Sequence, residues 1–176
     1  MLNDNYIIML TWLKKLFHKE KTSKKEKQIS AVVFFVYIFG LGWLGPKPDS
    51  FYDALIKPTA TPPDIVFPIV WFILFALIGL SGYYVWNHYQ SELKRRIFTF
   101  LYAINGVLVF LWSYVFFGLH DIAGALYVII GIIVVAELMI VTAFGNHEKA
   151  AYMLLPYLAW VLFATYLNTT IIALNA

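Results

Sequence analysis

Long apolar runs alternate with short polar stretches along most of the chain, and five of these runs approach the length that crosses a bilayer. A helix rises about 1.5 Å per residue, so about 20 apolar residues span the hydrocarbon core. Because the core holds no water to satisfy backbone N–H and C=O groups, runs of this length are expected to be helices. The predicted spans are residues 29–45, 65–86, 97–119, 122–145 and 150–174. The pattern therefore predicts an all-α membrane protein with a five-transmembrane-helix bundle, which occupies residues 29–176.

A proline-rich segment, residues 46–64, separates the first two apolar runs. Six of the chain's seven prolines lie between Pro46 and Pro68. Proline fixes φ, removes a backbone donor and pushes the preceding residue away from the helical region. We therefore expect a stiff, folded loop and not a helix. Its aromatic and charged side chains run directly into the second span, which predicts a lid across one end of the bundle.

The N-terminal extension, residues 1–28, has a different pattern. Apolar side chains recur at helical spacing over residues 5–18, which predicts a short amphipathic helix in the membrane interface, and a lysine-rich run follows. A secretory signal places its charges before the apolar stretch and ends at a small-residue cleavage site. The first apolar run ends without such a site, so we interpret it as a retained span.

Composition supports the membrane assignment. The chain of 176 residues is 61% hydrophobic and only 13% charged, whereas a soluble domain is about half apolar and about a quarter charged. The lipid bilayer is therefore a predicted partner. The absence of cysteine excludes disulfides, thiolate catalysis and cysteine-based metal sites. The net charge of +3 comes largely from the N-terminal lysines; with no groove-reading motif beside them, we predict no nucleic-acid partner.

Positive charges also predict the orientation. If the N-terminus is cytoplasmic, the inner segments hold the N-terminal lysines, the Lys94–Arg96 cluster and Lys149, and the outer segments hold only Lys47 and Lys57. Cytoplasmic loops carry the excess of Lys and Arg. We therefore predict a cytoplasmic N-terminus, with the proline-rich loop and the C-terminus on the outer side.

The candidate polar residues inside the apolar spans are Asn105, Ser113, Glu137 and Asn168. Such residues are expected to be paired or to face the bundle interior. A single Asn or Ser in a span is more often an interhelical hydrogen-bonding residue than a ligand contact. For Glu137 two interpretations stay open, a paired structural acid and a ligand or proton site.

The tryptophans fall into two groups. Trp43 and Trp86 lie at span ends, where interfacial anchoring explains them. Trp112 and Trp160 lie inside spans, where core packing and pocket lining are equally good explanations. Together with Trp71 they fall at the level just below the proline-rich loop, which predicts an aromatic-lined cavity under the lid.

Histidine-based chemistry is disfavoured. The four histidines lie in loops or at span ends, and no two share a helix face. A haem or metal site built on paired histidines is therefore not predicted, and no metal is assigned. No nucleophile–base pair or phosphate-binding loop is visible either.

Three ordered motifs carry a family resemblance. The first reads Phe51-Tyr52-Asp53-Ala54-Leu55-Ile56-Lys57-Pro58 and continues through Pro62, Pro63, Phe67, Val70 and Trp71. The second is Asn105, Trp112, Ser113, Phe116 and Phe117. The third is Leu155, Pro156, Tyr157, Trp160, Phe163, Ala164, Leu167, Asn168, Ile171, Leu174 and Asn175. Over about residues 30–175 the chain resembles the TspO/MBR family, the tryptophan-rich sensory proteins whose mitochondrial members are called translocator protein. Residues 1–28 are interpreted as lying outside this resemblance.

The chain also departs from the family pattern. Phe51 and Ala60 stand where the family usually has Trp in the loop, and Val109 stands where it usually has a second Asn. Both Ala60 and Val109 remove large or polar groups from the expected pocket, so ligand preference is expected to differ. No basic residue follows Tyr166, and the weak sterol-recognition pattern of animal members is not carried over.

The resemblance implies a five-helix bundle, often a homodimer, that binds porphyrins and related hydrophobic ligands under the first loop without requiring a cofactor. The implied ligand-binding residues are Tyr52, Pro62, Pro63, Trp71, Phe75, Trp112, Ser113, Trp160, Ala164 and Asn168. The implied lid residues are Phe51, Asp53, Lys57, Pro58 and Ala60. A flat conjugated ring suits aromatic walls with a few orienting polar groups.

Three functional hypotheses remain. The first is a membrane receptor or sensor that binds tetrapyrroles for regulation or transport. The second is an enzyme that degrades porphyrin in light, for which the resemblance implies Trp71 and Trp160 as redox residues. The third is a structural or partner-binding bundle whose aromatic residues only pack.

Overall fold

The computed structural model describes residues 23–176, so the amphipathic helix predicted over residues 5–18 lies outside the described part. The elements are α1 (Lys24–Leu44), α2 (Ser50–Ala54), α3 (Val66–Asn87), α4 (Glu92–Ser113) with its π-helical continuation (Tyr114–Gly118), α5 (Ile122–Phe144) and α6 (Glu148–Leu174). All of these except α2 belong to five helical segments that are long and apolar enough to cross a membrane. This confirms the predicted all-α, five-helix membrane bundle.

Two helices begin at least one turn earlier than hydropathy predicted, because capping side chains start them in polar sequence. At α1, Ser23 Oγ accepts from the Glu26 backbone N–H at 3.2 Å, and Glu26 Oε2 accepts from the Ser23 N–H at 2.6 Å. This reciprocal capping box satisfies two of the N–H groups that a helix start leaves free. At α4, Ser91 caps the first turn, which contains Glu92. The predicted starts at residues 29 and 97 are therefore too late by one charged turn.

The proline-rich segment contains a short helix, so the prediction of a loop without helix is wrong for α2. Asp49 begins it by accepting from the backbone N–H groups of Phe51 and Tyr52, at 3.1 and 3.4 Å. Aspartate is a favoured N-cap residue because its carboxylate satisfies these donors. No proline lies between Pro48 and Pro58, so one turn can form where the sequence is free of proline.

The five spanning segments form a closed ring. In space α1 lies beside α3, α3 beside α6, α6 beside α5, α5 beside α4, and α4 beside α1. The half of the ring nearest residues 45–65 and 119–121 is called the lid half. The opposite half, which holds the start of α1 and the α3–α4 and α5–α6 connections, is called the far half.

The far half is held by buried rings and interhelical hydrogen bonds. Phe98 and Val85 are fully buried there. Tyr102 donates its hydroxyl to the Phe34 carbonyl at 2.8 Å, and their rings meet edge to face at 4.9 Å. Such edge-to-face contacts stabilise beyond the area they bury.

A second feature of the far half is a clamp around Arg95. Its guanidinium lies 4.2 Å from the Trp86 ring centroid and 4.6 Å from that of Tyr89. The same group donates to Glu92 through Nε at 2.8 Å and Nη2 at 2.6 Å. Two ring faces and a bidentate carboxylate thus hold one cation at the α3–α4 corner.

Glu137 does not meet the expectation of a paired or inward-facing acid. It is exposed on α5, one residue after Ala136, which belongs to the helix's buried stripe. One residue turns a helix by about 100°, so the neighbour of a buried position points away from the core. Within residues 23–176 no hydrogen bond or ion pair of Glu137 is found, and it takes no part in the cavity described below.

Candidate ligand cavity

A cavity of about 550 Å³ lies in the lid half, between four of the spanning helices and the lid. That volume falls within the roughly 300–1,000 Å³ typical of small-molecule sites. The residues lining it are Phe39, Gly42, Trp43, Pro46, Lys47, Pro48, Tyr52, Asp53, Thr61, Asp64, Phe67, Pro68, Trp71, Phe72, Phe75, Val109, Trp112, Ser113, Phe116, Phe117, Ala164, Leu167, Asn168 and Ile171. Because most of them are apolar, the cavity suits a ligand with a large hydrophobic surface.

Aromatic rings form two walls of the cavity, one on α3 and one on α4. On α3, the rings of Trp71 and Phe75 lie 5.3 Å apart. On α4 and its π-helical continuation, Trp112 and Phe116 also lie 5.3 Å apart. Ring faces favour offset stacking on other flat π-systems. The two walls can therefore hold a planar conjugated ligand.

Three buried polar atoms at the cavity have no hydrogen-bond partner within the described chain: Thr61 Oγ1, Trp112 Nε1 and Asn168 Oδ1. Asn168 uses its amide to donate to the Ile122 carbonyl at 2.9 Å, and this contact fixes the orientation of its free oxygen. Buried polar groups in proteins are nearly always satisfied. The three atoms themselves are buried behind the cavity surface, so a ligand would reach them only after lining side chains shift.

The lid is attached to the bundle at three points. Ser113 Oγ donates to the Pro46 carbonyl at 2.7 Å, and His120 Nε2 lies 3.1 Å from Asp49 Oδ2. At the other end of the lid, Asn175 pairs with the Ile56 backbone, accepting from its N–H and donating to its carbonyl, both at 2.9 Å. Because these partners lie at the ends of α4 and α6 and before α5, the lid bridges three helices.

Tyr52 is the residue that the lid inserts into the bundle. Its ring contacts those of Phe116 and Phe117 at 6.2 and 5.6 Å, and Lys57 Nζ lies 4.2 Å from its centroid. Burial raises the pKa of the Tyr52 hydroxyl, and the nearby carboxylates of Asp64 and Asp53 raise it further. The hydroxyl, which is neutral at physiological pH in any case, therefore stays protonated further into the alkaline range than that of an ordinary tyrosine.

The end of α4 widens into a π-helix where it meets the lid. The Leu119 N–H donates to the Tyr114 carbonyl at 2.9 Å, five residues back, and Phe116 is buried within this turn. Single π-helical turns occur often at functional sites. Close approach also requires Gly45, because a Cβ there would lie 2.6 Å from Ser113 Oγ. This turn and this glycine position Phe116 and Ser113 at the cavity.

The structure brings together most, but not all, of the residues expected from the family resemblance. The expected ligand residues that line the cavity are Tyr52, Trp71, Phe75, Trp112, Ser113, Ala164 and Asn168. Those that do not line it are Pro62, Pro63 and Trp160. Of the lid residues, Asp53 lines the cavity, and Phe51, Lys57, Pro58 and Ala60 do not. The ring of Trp160 lies 5.9 Å from that of Phe67, which is itself part of the wall.

Asn105 and the His88–His147 pair lie outside the cavity lining and contact other parts of the bundle. Asn105 accepts from the Tyr157 hydroxyl at 2.8 Å, an interhelical hydrogen bond away from the cavity. In the far half, His88 and His147 bring their ring centroids to 5.6 Å, a proximity that separate loops did not reveal in the sequence. Among residues 23–176 no three His, Cys, Asp or Glu side chains are grouped for a metal ion.

The residues of this region that sequence reasoning missed include Lys47, Asp64, His120 and Asn175. Trp43, which interfacial anchoring explained in the sequence, also lines the cavity. Lys47 and Asp64 line the cavity, while His120 and Asn175 attach the lid. A signal was available for Asn175, which ends the third motif. For His120 a loop position between two spans gave no indication that it would reach Asp49.

Sequence comparison with known proteins shows to which family the chain belongs. The sequence model of the TspO/MBR family matches residues 8–174, beginning within the N-terminal extension. The Tryptophan-rich protein TspO of Archaeoglobus fulgidus is 40% identical over 130 residues, covering 72% of this chain and 81% of that protein. That of Bacillus cereus is 33% identical over 153 residues, covering 85% and 98%. The human Translocator protein is 31% identical over 135 residues, covering 76% and 75%. The chain is therefore an integral multi-pass membrane protein that belongs to the TspO/MBR family.

Proposed function

We propose that this protein is a membrane receptor or sensor that binds a porphyrin, or a tetrapyrrole of similar shape, in the cavity under the lid. The observation that carries the proposal is the cavity itself, with its aromatic walls. A porphyrin offers a flat conjugated face on which these rings can stack. Binding would serve regulation or transport of the tetrapyrrole.

Titration with protoporphyrin IX in the dark tests this proposal. Purified protein in detergent is titrated while the porphyrin absorption band and tryptophan fluorescence are followed. We expect saturable micromolar binding. Trp71→Phe should weaken it about fivefold, because replacing the indole with a smaller ring is expected to cost about 1 kcal/mol of stacking. Trp160→Phe is the matched control, since Trp160 does not line the cavity, and it should change the affinity less than about twofold.

Two other outcomes would favour the alternative hypotheses. No saturable binding to folded protein would contradict the receptor proposal and favour a structural or partner-binding bundle. Loss of the bound porphyrin spectrum under illumination, abolished by Trp71→Phe, would favour the light-dependent enzyme. That hypothesis assigns redox roles to Trp71 and Trp160, and of these two Trp71 borders the cavity.

The proposed orientation places the far half toward the cytoplasm. Exposed cations cluster there, among them Lys24, Lys94 and Lys149, and the lid half has Lys47 and Lys57. This distribution supports a cytoplasmic far half by the positive-inside rule. Because the chain has no cysteine, Ala60→Cys and Gln90→Cys each create one thiol. A membrane-impermeant maleimide applied to intact cells should label the first and not the second; the reverse would contradict the orientation.

A further inference from the structure

Lys47 lines the cavity from a restrained part of the lid. It stands between Pro46 and Pro48, and proline restricts both its own φ and the residue before it. The Pro46 carbonyl accepts from Ser113 Oγ at 2.7 Å. The Pro46 ring lies close to Gly118, where an added Cβ would be 3.1 Å from its Cγ. The backbone on both sides of Lys47 is therefore restrained, while its side chain borders the cavity.

The Lys47 ammonium has no carboxylate partner within residues 23–176. Its Nζ lies 5.3 Å from the Trp43 ring centroid and 3.5 Å from the Gly42 carbonyl, the limit of a hydrogen bond. In contrast, the Lys57 ammonium lies against the Tyr52 ring and does not border the cavity. Among the described residues that line the cavity, Lys47 is the one cation.

Charge is distributed unevenly around the cavity. Asp53 and Asp64 also border the cavity, and both lie near Tyr52, because their charges add to the burial that raises the Tyr52 pKa. Neither forms an ion pair with Lys47. On the Tyr52 side these two carboxylates offset the Lys57 ammonium, which lies against the Tyr52 ring. On the Trp43 side the Lys47 ammonium has no carboxylate partner among the described residues, so an anionic ligand group is attracted more strongly there. The cavity thus favours one orientation of a ligand whose acidic groups lie along one edge.

We propose that Lys47 binds a carboxylate of the tetrapyrrole, so that the site selects tetrapyrroles with free carboxyl groups and holds their acidic edge beside Trp43. This inference rests on the proposed function and adds the ligand class to it. An ammonium–carboxylate hydrogen bond is about twice as strong as a neutral one. The alternative for an exposed lysine is full hydration of its ammonium, in which case it would contribute nothing to ligand choice.

A comparison of protoporphyrin IX with its dimethyl ester tests the inference. The ester keeps the ring but cannot become anionic. Each compound is titrated in the dark, in one detergent, against the unmodified protein, Lys47→Met and Lys57→Met. The readout is the ratio of the affinity for the diacid to the affinity for the ester. The two compounds partition differently into detergent micelles, but this difference is the same for every variant and cancels when the ratios of two variants are compared. We expect Lys47→Met to lower this ratio about tenfold through the diacid alone, equivalent to about 1.4 kcal/mol, and Lys57→Met to preserve it.

The outcomes separate this inference from the proposed function. Ester binding that is unchanged in Lys47→Met shows that the variant is folded and its cavity intact. If both compounds bind and the ratio is the same in Lys47→Met as in the unmodified protein, Lys47 does not bind the carboxylate, while the porphyrin site stands. If both lysine variants lower the ratio equally, general charge attraction replaces a specific contact and the inference fails. If neither compound binds to the folded unmodified protein, the proposed function fails together with it.

Discussion

The two halves of the bundle use aromatic and polar side chains in different ways. In the far half, Phe98 is fully buried and Tyr102 bonds the Phe34 carbonyl at 2.8 Å. In the lid half, the rings of Trp71 and Trp112 border a cavity of about 550 Å³. Close packing stabilises a fold, while open space forfeits packing contacts until a ligand fills it. Substitutions in the far half should therefore change folding, and those in the lid half should change binding.

The largest expected effect is on folding. Phe98→Ala removes a fully buried ring from the far half and should lower the free energy of unfolding by about 3–5 kcal/mol, the usual cost of a Phe→Ala cavity. Phe72→Ala is the matched control, because Phe72 is 64% exposed and borders the cavity. Phe72→Ala should reduce the free energy of porphyrin binding by more than it reduces the free energy of unfolding. Denaturation in detergent and the dark titration measure the two effects, and equal destabilisation would contradict the division into halves.

The clamp around Arg95 gives the next largest effect. Arg95→Met leaves the Glu92 carboxylate, 7% exposed, with one remaining cationic partner and removes two ring contacts. The expected loss is about 2 kcal/mol, below that of a fully buried pair because Arg95 is itself 19% exposed. Arg96→Met is the control: Arg96 also bonds Glu92 but is 64% exposed, so its loss should cost about 1 kcal/mol or less. Equal melting temperatures for the two variants would show that the aromatic clamp adds nothing.

Sequence predicted the depth of residues along the helices better than their direction around them. Hydropathy and helical rise placed Trp71, Trp112 and Asn168 at the level of the cavity, and all three line it. The same reasoning could not fix rotation about a helix axis, which depends on packing against neighbours. Trp160 therefore lies outside the cavity lining, and Glu137 faces away from the bundle.

Contacts between distant loops were also beyond sequence reasoning. Pairs such as His120 with Asp49, and His88 with His147, are separated by many residues and form only when the helices close into a ring. In the lid, the density of prolines concealed one proline-free turn that Asp49 can cap. Local patterns therefore predicted the elements and the general place of the site, whereas long-range closure determines the lid attachments.

A side chain that fills the cavity should make the lid half as closely packed as the far half and leave no space for a ligand. Ala164 lines the cavity on α6, and Ala164→Phe places a ring in the space a ligand would use. We expect porphyrin affinity to fall at least about tenfold, with the melting temperature of the ligand-free protein unchanged or higher, because the new ring fills existing space. Ala159→Phe is the control, since Ala159 is exposed on the same helix, and it should bind normally. Normal binding by Ala164→Phe would place the ligand elsewhere.

The smallest expected effect concerns the attachment of the lid at Asp49. Its carboxylate accepts from the Phe51 and Tyr52 N–H groups and bonds His120. Partial desolvation raises the Asp49 pKa, but the hydrogen bonds from His120 and from these N–H groups outweigh it, so the pKa lies below its usual value. A lowered pKa in the folded state means that the charged form stabilises α2 above the ordinary aspartate range, about 4, and that this stabilisation is lost as pH falls through the lowered value.

Amide hydrogen exchange of residues 50–55 measures this attachment without any ligand that titrates itself. After correction for intrinsic exchange rates, protection of α2 should fall about twofold to threefold in acid, a small effect because the ion pair is exposed. Asp49→Asn should show the lower protection already at neutral pH and little further change, whereas His120→Asn should keep part of the protection, since it leaves the N-cap bonds to Phe51 and Tyr52 intact. If acid leaves α2 protected while exchange elsewhere in the lid rises, the lid is held by the neutral contacts of Ser113 and Asn175 and not by the Asp49 carboxylate.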